Sequence, residues 1–116
     1  NSCVVNMYED GSQSVDWHAD NEQLFDGLHR DCQIISLSLG AVRKFEMRPR
    51  RVRRSGPGNF ERVYIELGDG DLMTMEGLFQ KHWEHRVPRE GKIERPRINF
   101  TWRKIVMHMK NCPLHR

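Results

Sequence analysis

Two histidines and one carboxylate, His18, Asp20 and a histidine far downstream, form a set that suits a ferrous ion. Three such ligands on one side of an octahedron leave three positions open for chemistry. His18 and Asp20 are two residues apart. On a strand, that spacing puts both side chains on one face. The third ligand has competitors, because the chain holds 6 histidines. His85 and His82 are the serious rivals, and the strand-like surroundings Trp83-Glu84-His85-Arg86-Val87 favour His85. A second set closes the chain. Arg97 and Arg103 in Arg97-Ile98-Asn99-Phe100-Thr101-Trp102-Arg103 again fall on one face of a strand. Guanidinium pairs with carboxylate through two parallel hydrogen bonds, so two such anchors suit a dicarboxylate.

Strands must carry these groups. Ile35, Leu37 and Leu39 alternate with Ser36 and Ser38, the pattern of a half-buried strand. Phe45 and Met47 alternate with Lys44, Glu46 and Arg48 in the next segment. Further strand signals lie at 3–8, 62–67, 71–75, 83–87 and 97–107, with turns at Asp10-Gly11 and Gly68-Asp69-Gly70. One helical turn is expected near 77–81, and the weak helical signal at 21–28 is too short to stand alone. Many short strands between turns predict an all-β fold, and a jelly roll best brings distant strand ends around one ion.

The chain has 116 residues, enough for one domain with a modest core. No stretch approaches the ~20 apolar residues of a membrane helix. Cys3, Cys32 and Cys112 are scattered and odd in number, which argues against a disulfide framework and for a reducing, intracellular compartment, nuclear or cytoplasmic. Lys and Arg number 19 against 16 Asp and Glu. The excess is uneven: Arg43, Lys44, Arg48, Arg50, Arg51, Arg53 and Arg54 are interrupted by one acid, Glu46. Such a cluster suits a polyanion such as nucleic acid, or else forms a solvated hairpin arm. The segment 49–59, rich in proline, glycine and arginine, reads as a long exposed loop.

Metal ligands followed by acid-binding arginines imply an iron- and 2-oxoglutarate-dependent dioxygenase. Asn6-Met7-Tyr8, His18-Ala19-Asp20, His85 and Arg97-x-Asn99-x-Thr101-x-Arg103 together resemble the AlkB family of alkylation-repair dioxygenases. Ser36-Leu37-Ser38, Phe45-Glu46-Met47-Arg48, Met75-Glu76-Gly77 and His85-Arg86-Val87-Pro88 extend the likeness through nearly the whole chain.

The resemblance implies a double-stranded β-helix. His18, Asp20 and His85 would bind Fe(II). Arg97, helped by Tyr8 and Asn99, would hold the distal carboxylate of 2-oxoglutarate, with Arg103 and Asn6 near the carboxylate that touches the metal. With O2, the enzyme would demethylate N-alkylated bases of the 1-methyladenine or 3-methylcytosine type in single-stranded DNA or RNA, releasing formaldehyde and succinate. Glu22 would contact the base, where a carboxylate suits the cationic charge of such a lesion. The chain opens on a strand and lacks the lid of hairpins that precedes the core in the family. It is therefore expected to be a catalytic core, 1–116, cut from a longer protein. Other readings are a related dioxygenase acting on a protein or small molecule, or a silent nucleic-acid-binding module. A zinc hydrolase would leave Arg97 and Arg103 without a purpose.

Overall fold

The computed structural model describes residues 1–50 and 62–115. Eight strands and one helical turn follow in order: β1 (Ser2–Tyr8), β2 (Val15–His18), β3 (Ile34–Gly40), β4 (Arg43–Pro49), β5 (Val63–Leu67), β6 (Leu72–Met75), α1 (Phe79–His82), β7 (Trp83–Val87) and β8 (Arg97–Arg103). They form two four-stranded sheets, ordered β1-β8-β3-β6 and β2-β7-β4-β5, with every pairing antiparallel. This is the jelly-roll, or double-stranded β-helix, architecture expected from the sequence.

β8 and β7 are inner strands, hydrogen-bonded on both sides, so side chains on them are held by two neighbours. The core gathers Tyr8, Ile34, Phe45, Leu67, Met75 and Val87, with Val15, Phe25 and Met73 packed against it.

The first sheet turns its polar side inward. Ser36 and Ser38 on β3, and Arg97, Asn99 and Thr101 on β8, are buried. Ile98, Phe100 and Trp102 look outward, in register with Leu39, Leu37 and Ile35 on one side and Met7, Val5 and Cys3 on the other. Val5 is 55% exposed, Met7 59% and Leu72 64%, so the outer face is an apolar surface among the described residues. The serine half of β3 is thus the buried half. Its hydroxyls serve as hydrogen-bond partners for the polar residues of β8 rather than as a solvent face.

Two further expectations change, whereas the weak helical signal at 21–28 yields no helix, as its shortness implied. The 21–28 segment is a run of turns, closed by Phe25 N–H to Glu22 O and by His29 and Arg30 N–H to Asp26 O. The last strand stops at Arg103, after which Val106 and Met107 donate to Leu24 O instead. The basic cluster is not one patch. Arg43 is 1% exposed and is bound by the Glu90 carboxylate and by the carbonyls of Asp10, Gln13 and Pro88. Arg48 pairs with Glu84, and Arg50 donates to Gln80 O. Pro49 belongs to β4, opposite Trp83. The remainder of the expected 49–59 loop, with Arg51, Arg53 and Arg54, lies outside the described residues.

Candidate metal and co-substrate site

His18 reaches the interior through a bulge. Val15 pairs with Val87 and His18 with His85, so three steps along β2 match two along β7. Strict alternation from the inward Val15 would send His18 outward. The extra residue resets the strand and aims the imidazole at its partner across the ladder. The two rings stand 4.3 Å apart, centroid to centroid. Trp17, displaced outward, lies under the guanidiniums of Arg48 and Arg86 at 4.2 and 4.6 Å.

Asp20 is not on the strand. β2 ends at His18, so the expected single strand face is replaced by a strand end and the residues just past it. Asp20 is nevertheless 4% exposed and fixed twice. Its backbone N–H donates to Gln80 Oε1 at 2.8 Å. Its Oδ2 accepts from Arg103 Nη2 at 3.0 Å and Nε at 3.2 Å. The other oxygen, Oδ1, stands 3.8 Å from His18 Nε2.

His85 is the central residue of β7, buried and stacked on Phe45. Ligand atoms of His18, Asp20 and His85 all lie within 4.8 Å of one another. His82 is exposed at the end of α1 and outside this cluster.

The protonation states suit a cation. His18 Nδ1 lies 2.7 Å from Asp16 O, which fixes the proton there and leaves the Nε2 lone pair free. Burial, reinforced by the neighbouring His18, pushes the His85 pKa down to about 4, so its imidazole is neutral near pH 7. His85 Nδ1 is buried with no hydrogen-bond partner among the described residues. Two imidazoles, that of His85 held neutral by burial, and one carboxylate form a donor set for iron with room for further ligands.

The other wall of the site is built by β8 and β1. Tyr8 is opposite Arg97 and Asn6 opposite Asn99 in the β1–β8 register. Arg97 is 2% exposed, and its Nη2 donates to Ser38 Oγ at 2.7 Å. Its Nε and Nη1 are buried and find no partner among the described residues. Unmet donors on a buried cation are costly unless an anion completes them. Burial holds this guanidinium below its ordinary pKa, with Tyr8 acting the other way. Burial also raises the Tyr8 pKa, which keeps the phenol a neutral O–H donor. Asn99 is locked by Ser36 Oγ and Leu37 O, and Thr101 Oγ1 donates back to Asn99 Oδ1.

One cavity holds Asn6, Tyr8, His18, Asp20, His85, Arg97, Asn99 and Arg103 on its wall, together with Ser36, Thr101, Phe45 and Met75. Glu22 is exposed and does not line it. Sequence reasoning gave no role to Ser36, Ser38 or Gln80. The serines carried a legible signal, a polar half of a strand facing a polar half of another, whereas a lone glutamine carried none.

A jelly roll whose interior joins a two-histidine, one-carboxylate cluster to a buried arginine defines an iron- and 2-oxoacid-dependent oxygenase site. The chain belongs to the 2OG-Fe(II) oxygenase superfamily, whose match covers residues 1–103. That superfamily works with Fe(II), 2-oxoglutarate and O2.

Within it, the chain is 42% identical over 115 residues to alpha-ketoglutarate-dependent dioxygenase alkB homolog 3 of Homo sapiens, covering 97% of this chain and 39% of the relative. The Mus musculus counterpart is 41% identical over 116 residues, with the same coverage. DNA oxidative demethylase ALKBH2 of Bos taurus is 34% identical over 115 residues, covering 98% of this chain and 40% of the relative. The AlkB resemblance read from the sequence therefore holds, and the chain spans about two fifths of the length of these curated relatives. The solved structure of OsALKBH1 matches with a TM-score of 0.64 at 25% identity, over 88% of this chain and 47% of that one. Among the described residues no helix is long and apolar enough to cross a membrane. Cys3, Cys32 and Cys112 are free thiols.

Proposed function

We propose that these residues form the catalytic core, 1–116, of a dioxygenase that removes N-methyl groups from bases in single-stranded DNA or RNA. His18, Asp20 and His85 hold Fe(II). Arg97 and Tyr8 take the distal carboxylate of 2-oxoglutarate. Asn99 keeps the floor polar, and Asn6 and Arg103 lie toward the carboxylate at the metal. The observation that carries the reading is the pairing, in one cavity, of the three-ligand cluster with the two unmet donors of Arg97.

Bound there, Fe(II) and 2-oxoglutarate would, with O2 as the oxidant, supply the chemistry that converts an N-methyl group to formaldehyde and the restored amine while the co-substrate becomes succinate and carbon dioxide. The chain's own residues orient and partition. Arg103 occupies one oxygen of Asp20, which leaves the other for the metal. Asp16 sets the His18 tautomer. Phe45 and Val87 line the wall with apolar surface beside the imidazoles.

The relative named DNA oxidative demethylase ALKBH2 acts, by its name, on DNA, which supports a nucleic-acid substrate. A base of the 1-methyladenine or 3-methylcytosine type is cationic. Glu22, exposed and two residues beyond Asp20 in sequence, would meet that charge with its carboxylate. Nuclear or cytoplasmic residence follows from such a substrate.

The test is formaldehyde and succinate release from an oligonucleotide bearing 1-methyladenine, with Fe(II) and 2-oxoglutarate present. Equal stoichiometry of the two products supports the reading. Succinate formed at an unchanged rate without the oligonucleotide, and no formaldehyde with it, would direct the same machinery to a protein or small-molecule substrate.

A further inference from the structure

Gln80 has no role in the site as described, yet it is fully buried at 0% exposure. A buried primary amide costs free energy unless both of its ends are satisfied. Its Oε1 accepts the Asp20 N–H at 2.8 Å. Among the described residues its Nε2 reaches only Met75 Sδ at 3.6 Å, a weak acceptor. A residue serving packing alone would be better filled by leucine or methionine. The strong bond of this amide is the one to a metal-cluster residue.

Asp20 needs that bond. It lies past the end of β2, where no ladder partner fixes its backbone. Arg103 steadies the carboxylate from one side and Gln80 the main chain from another. The platform under Gln80 is itself pinned, because Arg50 N–H donates to His82 O at 2.7 Å and Arg50 Nη1 to Gln80 O at 3.1 Å. Gly27 closes the contact from above. A Cβ there would stand 3.2 Å from Gln80 Cβ and 3.3 Å from Asp20 O, tighter than ordinary packing.

We infer that Gln80 is a positioning residue for the metal site, setting through the Asp20 backbone where the Asp20 carboxylate meets the ion. The inference rests on the reading of His18, Asp20 and His85 as ligands. Groups that orient ligands typically change metal affinity about 10- to 100-fold when lost.

The test measures Mn(II) binding to the full chain by calorimetry, in the absence of O2, beside urea unfolding of the same metal-free protein. Gln80→Leu removes the acceptor at similar volume and is expected to weaken Mn(II) binding at least about tenfold in the folded protein. Gln80→Glu keeps an oxygen at the same position and is expected to recover most of the loss. A purely structural role predicts lower unfolding midpoints for Gln80→Leu with unchanged Mn(II) affinity, and that result overturns the inference. Should Gln80→Leu fail to fold, Gly27→Ala presses on the same contact from the opposite side. It is expected to weaken Mn(II) binding, and parental affinity there overturns the inference equally. His85→Ala separates the two readings: if it binds Mn(II) like the parent, the ligand set itself is wrong, whatever Gln80 does.

Discussion

Replacing Arg97 by methionine should separate co-substrate binding from both metal binding and folding. The side chain is 2% exposed, gives one hydrogen bond to Ser38, and leaves Nε and Nη1 without partners among the described residues. A hydrogen bond involving an ionised group contributes about 1.5–3 kcal/mol. Two such bonds to a carboxylate therefore amount to roughly 3–6 kcal/mol, or about a hundred- to ten-thousandfold in Kd. Folding should respond differently. Without the dianion, Arg97 is a desolvated cation with unmet donors, and replacing such a charge by an apolar group of similar length is often neutral or stabilising. The loss of the Ser38 partner costs about 1.5–3 kcal/mol in the other direction and offsets that gain. The assay is calorimetric titration of 2-oxoglutarate into the Mn(II)-loaded protein without O2, beside urea unfolding of the metal-free protein. We predict a loss of at least a hundredfold in 2-oxoglutarate affinity, parental Mn(II) affinity, and an unfolding midpoint near that of the parent. A loss below tenfold refutes the carboxylate role. Equal losses for metal and co-substrate would indicate a damaged fold instead.

His85→Ala should abolish Mn(II) binding while His82→Ala leaves it at the parental value; an equal effect of the two would contradict the cluster geometry. The buried His85 takes up its proton only near pH 4 when folded, against about 6.5 when unfolded. The unfolded chain therefore binds more protons between those values, and stability of the metal-free protein should fall by roughly 2–3 kcal/mol as pH drops from 6.5 to 4. Unfolding midpoints measured across that window, compared with those of a His85→Phe variant, check the sign and size. Glu90→Gln leaves the Arg43 cation buried beside a neutral amide and should cost about 3 kcal/mol in denaturant unfolding, whereas a cost under 1 kcal/mol would mean that the three carbonyls suffice. Changing Arg51, Arg53 and Arg54 to alanine should flatten the log–log salt dependence of single-strand binding by about 0.7 per lost phosphate contact. Turnover at saturating substrate should not move, and a large fall in it would contradict an affinity role.

The sequence was legible where chemistry and regular pairing coincide. β1, β3, β4, β5, β6 and β7 stand within a residue or so of the expected segments, because turn residues and period-two alternation mark them locally. The sidedness of the first sheet was harder. Alternation states that Ile35, Leu37 and Leu39 share a face, but only the tertiary fold decides that Ser36 and Ser38 turn inward to meet Arg97 and Asn99. A polar interior belongs to the paired strands together, and no single strand reveals it. The bulge that aims His18 was likewise invisible, because it exists only as a mismatch between β2 and β7. Arg43 looked like part of a basic run and proved to be a buried tie between two loops. Its neighbours in the sequence gave no hint of the Glu90 that meets it.

The inverted polarity of the first sheet has a practical consequence for anyone handling these residues. Environment-sensitive dyes such as ANS brighten on exposed apolar surface, a response commonly taken as a sign of a loosened, molten state. A fully native chain that presents Val5, Met7, Leu72 and Trp102 on one flat face would brighten the dye as well. Dye-monitored melting of this protein should start from a high baseline and understate the transition. Near-ultraviolet circular dichroism, sensitive to the fixed Phe79–Trp83 and Phe100–Trp102 stacks, offers a cleaner gauge of whether the native packing is intact.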